Sequence, residues 1–132
     1  MKKLLVGLLV FCFLVAPWVC FAQGETHAQV IYTWTSTVTS ETRTNIPTDQ
    51  IRPNVDKILG MEVLQAGGAS AIATLWDGAV NTAATSDEVM AEVESTAYGP
   101  GVLFFPFPRM VVTQATVVQS ASSTVIVYYV RQ

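Results

Sequence analysis

Residues 28–40 read AQVIYTWTSTVTS, a run of β-branched and aromatic side chains that fits an extended strand. Alternation places Ile31, Thr33, Thr35, Thr37 and Thr39 on one face and Tyr32, Trp34 and Val38 on the other. Downstream, residues 41–54 are polar, hold Pro47 and Pro53 and show no apolar period, which reads as a loop or linker that makes the first strand separable from the rest. Residues 58–65 and 69–76 then alternate again. Gly67-Gly68 between them supplies the positive φ of a tight turn, so the pair is expected to form a β-hairpin. Asp77-Gly78 ends the second strand in a turn, and residues 81–86 are small, polar and loop-like.

Residues 88–95 carry two patterns. Val89, Ala91 and Val93 alternate with Met90, Glu92 and Glu94 as in a half-exposed strand, while Thr85-Ser86-Asp87-Glu88 resembles a helix-capping box; the strand is the favoured reading. After a turn at residues 98–101, the apolar run 102–107 is punctuated by Pro106 and Pro108, which restricts it to a sheet edge or an extended crossing. Short strands are expected at 110–113 and 116–119. Residues 124–130, TVIVYYV, are apolar on both faces and fit a central strand. Seven or eight short strands at spacings near ten residues, without a helix or an internal repeat, imply an all-β chain: a single antiparallel β-sandwich of jelly-roll or immunoglobulin-like type.

Upstream of the first strand, Lys2 and Lys3 precede the apolar run 4–16. Pro17 breaks any helix there, and Cys20-Phe21-Ala22 sets small residues three and one before Gln23. Residues 1–22 therefore read as a secretory signal peptide cleaved before Gln23. The alternative is an uncleaved anchor, because residues 4–22 contain no charge. A lipoprotein signal is disfavoured by the bulky residues ahead of Cys20. The expected destination is extracellular, at the cell surface or in the periplasm, with the membrane met only during export. Division of the chain follows: signal 1–22, N-terminal strand and polar linker 23–54, sandwich core 55–132.

Cleavage leaves 110 of the 132 residues, enough for one domain. Apolar residues at 51% against 13% charged exclude intrinsic disorder. Both cysteines, Cys12 and Cys20, fall within the signal, so neither a disulfide nor a thiolate metal site is expected in the mature chain. Loss of Lys2 and Lys3 moves the net charge from −3 to −5, which argues against nucleic acid and anionic membrane surfaces as partners.

The segments 57–63 (KILGMEV), 69–78 (ASAIATLWDG), 105–109 (FPFPR) and 125–129 (VIVYY) resemble, in order and spacing, small β-sandwich proteins encoded among tailed-phage structural genes. The resemblance spans residues 55–130 and implies a sandwich that serves as a structural part. The chain departs from that pattern at Thr113-Gln114-Ala115, where the family has a Gly-Leu turn, and in carrying an export signal.

Catalytic chemistry finds little footing. His27 is the single histidine and lies in a terminal segment, so a nucleophile–histidine pair or a zinc site is hard to assemble. Asp87, Glu88, Glu92 and Glu94 cluster in sequence, yet on a strand the glutamates face solvent. Asp77 is first of all a turn residue. Neither Gly67-Gly68 nor Gly99-Pro100-Gly101 is followed by a helix that could present its N-terminus to phosphate. No enzyme, no cofactor and no metal are expected. The aromatic content points instead to contacts: Tyr32, Trp34 and Val38 on the first strand, with Phe104, Phe105 and Phe107 near the proline-punctuated run, exceed what a small core needs and are the expected subunit interface. The expectation is an exported, non-enzymatic structural protein that self-assembles into a filament or a surface or virion-like array, with exchange of the N-terminal strand between copies. A secreted module that binds carbohydrate or a host surface is the alternative.

Overall fold

The computed structural model describes residues 29–65, 70–79 and 88–132. They form eight strands: β1 (Ile31–Val38), β2 (Thr42–Asn45), β3 (Lys57–Gln65), β4 (Ala71–Asp77), β5 (Val89–Ser95), β6 (Gly101–Met110), β7 (Ala115–Gln119) and β8 (Ser123–Val130). One sheet has the order β1-β8-β3-β6 and the other β2-β7-β4-β5, with every pairing antiparallel. First pairs with last, second with seventh, third with sixth and fourth with fifth, as in one long hairpin rolled onto itself. That is the jelly-roll topology.

The period-2 pattern builds the core directly. Met61 and Val63 of β3, with Val125, Val127 and Tyr129 of β8, face Ala71, Ala73 and Leu75 of β4 and Val117 of β7, all of them buried. The register is interrupted between Ile58 and Gly60 and again between Leu75 and Trp76. As expected, β8 is central, flanked by β1 and β3, and β6 is an edge. Residues 89–95 are a strand rather than a helix, with Glu92 and Glu94 exposed. Asp87 and His27, like the signal and its cleavage site, lie outside the described residues.

Three expectations change. The strands β3 and β4 do not form a hairpin: they lie in different sheets and face one another across the core. A glycine pair permits a chain reversal but does not select between a turn within a sheet and an arch between sheets. Residues 110–113 end β6 and lead into β7 without forming a strand of their own. Nor are residues 41–54 a free linker. They contain β2, which pairs with β7, and fully buried Ile51 lies in the same stretch, as does Ile46.

This crossing segment is held by polar contacts. Asn54, at a positive φ of 60°, donates its backbone N–H to the Val111 carbonyl at 2.7 Å and its side-chain amide to the Val112 carbonyl at 3.0 Å. Asp56 is fully buried and accepts from Arg52 three times, from its backbone N–H at 2.9 Å, Nε at 3.2 Å and a terminal nitrogen at 2.7 Å. These hydrogen bonds from Arg52 hold the Asp56 carboxyl below the usual carboxylate range. A depressed folded-state value means that the stabilisation is complete above the unfolded aspartate value near ~4 and fades as pH falls through the folded one. Asp56→Asn should lose about 1.5 kcal/mol at neutral pH and show a shallower loss of stability below about pH 4, measured by urea unfolding across pH.

Candidate assembly surface

β1 pairs with β8 along its whole length, from Ile31 opposite Val130 to Val38 opposite Ser123. No other described residue pairs with its outer edge. Alternation turns Tyr32, Trp34, Ser36 and Val38 inward, yet none of the four is fully covered. Trp34 is half-buried against the core, Val38 is half-buried, and Tyr32 remains 37% exposed. The Tyr32 ring stacks on Tyr129 at 5.7 Å between centroids, with the Arg131 guanidinium 4.9 Å from its own centroid. Thr37 and Thr124 share a hydroxyl hydrogen bond at 2.8 Å across the outer face. In the isolated chain, β1 therefore sits on its own β8.

At the far side of the same sheet, β6 leaves side chains exposed on both faces. Phe104 is 55% and Phe107 81% accessible. Phe104 pairs with Gly60 and Arg109 with Ile58, so four residues of β6, Phe105 to Pro108, stand against the single Leu59 and bulge outward. Pro106 and Pro108 fix φ at two positions of the bulge, which frames an open groove of about 350 Å³ lined by Phe105 to Arg109. Phe105 is the inward member: it packs against the core, with Arg109 5.4 Å over its ring and donating to the Met90 carbonyl at 2.8 Å.

The expected interface residues thus fall into two groups. Tyr32, Trp34 and Val38 line one edge, Phe104, Phe105 and Phe107 the other, and three strand spacings, about 14 Å, separate them. Between them the outer face has regular rows. Thr33, Tyr128, Gly60 and Phe104 form one, and Thr35, Ile126, Glu62 and Val102 the next. Phe104 and Tyr128 approach at 5.3 Å across Gly60, where an added Cβ would meet the Phe104 ring at 2.6 Å. Tyr128 donates its hydroxyl to Glu62 at 2.7 Å, and that bond raises the phenol above its usual value. The opposite sheet differs in kind, with Arg43, Glu92 and Glu94 exposed.

Sequence reasoning did not single out Tyr128, Tyr129, Arg131 or Gly60. Their signal lies in the cross-strand register, which puts Tyr128 beside Gly60 and Tyr129 beside Tyr32. Among the described residues, no three His, Cys, Asp or Glu side chains gather where they could hold a metal.

No known protein family matches the chain, and no curated protein does. The surface must be read from its own geometry.

Proposed function

We propose that this is an exported, non-enzymatic structural protein: a subunit that self-assembles into an extracellular filament or a surface or virion-like array, its neighbours joined through the N-terminal strand. The carrying observation is β1, an eight-residue strand at a sheet edge whose outer side no described residue pairs and whose inward side chains are left half-covered. The resemblance to phage structural sandwiches favours the same role. Sedimentation of the secreted protein without added ligand should show oligomers that grow with concentration; a monomer at every concentration rejects the reading.

Strand exchange is one way to join copies. Thr37→Cys with Thr124→Cys places the only two cysteines of the processed chain where the two hydroxyls now meet at 2.8 Å. If β1 is exchanged between copies, oxidation should yield covalent multimers on a denaturing gel. If β1 stays on its own β8, it should yield a monomer closed by a disulfide.

A second reading, a carbohydrate- or host-surface-binding module, is favoured by a separate observation: the row of Phe104, Gly60, Tyr128 and Thr33 beside Glu62, an aromatic and hydroxyl-bearing platform on an open sheet face. It requires a monomer whose glycan binding is lost on Phe104→Ala.

A further inference from the structure

Four strands end the two sheets, and three of them carry devices that discourage pairing with another chain. β2 has four residues with Arg43 among them; β5 carries Glu92 and Glu94; β6 has Pro106, Pro108 and the bulge. β1 has none: its eight residues include no charge and no proline, and its register against β8 runs without a shift. A long uncharged edge whose main-chain groups are unpaired among the described residues is a pairing site unless something covers it.

We infer that a second copy of this chain covers it, the two β1 strands pairing antiparallel about a twofold axis while each remains on its own β8. This rests on the self-assembly reading above and specifies one of its contacts; a twofold closes at two copies, so growth into a filament or array joins these dimers through a second surface. A twofold sets β1 against itself in opposite directions and joins two four-stranded sheets into one of eight. With Thr35 on the axis, Thr33 meets Thr37 of the other copy on the outer face, so the threonine rows of both copies run together. On the inner face Tyr32 meets Val38 and Trp34 meets Ser36, an aromatic on each copy lying against a smaller residue. The half-covered side chains are those that such pairing would bury. Charge points the same way. The mature chain is negative, and β1 against β1 is the approach that sets no charge against a like one. Pairing through β6 would bring the proline bulge into the ladder, where the missing N–H groups cannot donate.

Cysteine placement on the outer face tests both the contact and its register, since the processed chain has no other cysteine. Thr35→Cys should oxidise to a covalent dimer by itself. Thr33→Cys and Thr37→Cys should each stay unlinked alone and crosslink when mixed. In parallel, Thr35→Lys, at an exposed position, should keep the parental melting curve at dilutions where both proteins are monomers and weaken dimerisation about a hundredfold, because two ammonium groups would face each other on the axis. Oligomers that persist in Thr35→Lys, with no crosslink from any of the three cysteines, overturn this contact and leave self-assembly standing through another surface. A parental protein that sediments as a monomer throughout overturns both.

Discussion

Trp76→Ala should cost about 3 to 5 kcal/mol and lower the melting temperature on the order of 15 °C, the largest effect of any single substitution considered. Trp76 is fully buried, the largest such side chain among the described residues, although alternation puts it with Ile72 and Thr74 on the outer face of β4. Its register neighbour on β7, Thr116, is fully buried too and bonds to Asn45 at 2.8 Å and to the Gly78 carbonyl. That corner thus acts as a second small core outside the main one. The indole N–H has no hydrogen-bond partner among the described residues, so volume rather than polarity carries the effect. Trp76→Phe should therefore recover most of the loss in chemical denaturation. If it proves as costly as alanine, the N–H is engaged and this account fails; if alanine melts like the parent, Trp76 bears no structural load.

The next residue has the second largest effect. The Asp77 carboxylate accepts three consecutive backbone N–H groups, from Val112 at 2.6 Å, Thr113 at 2.7 Å and Gln114 at 3.1 Å. One side chain at the end of β4 thus fixes the turn that carries the chain from β6 to β7. Charge-assisted bonds of this kind are the strong ones, but two of the donors are exposed enough for water to replace the carboxylate. Asp77→Ala should lose about 3 kcal/mol in urea unfolding. Asp77→Asn keeps one acceptor oxygen in place without the charge, and should restore about half. Equal losses for the two variants would assign the effect to charge alone, and no loss in either would make the turn independent of Asp77.

Adjacent residues of one motif, Trp76 and Asp77, show where sequence reasoning succeeds and where it stops. The Asp77-Gly78 step marked a turn at the end of that strand, and β4 ends there. Composition could not say that the turn stabilised by Asp77 lies 35 residues away in sequence, because that follows from β4 pairing with β7. The all-β class, the edge position of β6 and the central place of β8 were legible from alternation, proline positions and two-faced apolarity, all local properties. Sheet membership was not. Gly67-Gly68 is equally suited to a hairpin and to an arch, and β2, TRTN, has no apolar residue to announce it. The candidate surface follows the same division: exposed aromatics on β1 and β6 could be foreseen, whereas their separation to opposite edges, and the Phe104–Tyr128 contact across Gly60, depend on registers that no local pattern encodes.

The first-with-last pairing also bears on how the protein is made. Ile31 finds its place against Val130, so the contact that seats β1 has the longest loop to close and cannot form while β8 is still being synthesised. The strand that emerges first waits longest. During that interval it is an uncharged β-forming segment with both edges free, when other unfolded copies compete with β8 for it. The yield of correctly folded protein should then depend on how quickly β8 becomes available after β1, and on what shields β1 until it does.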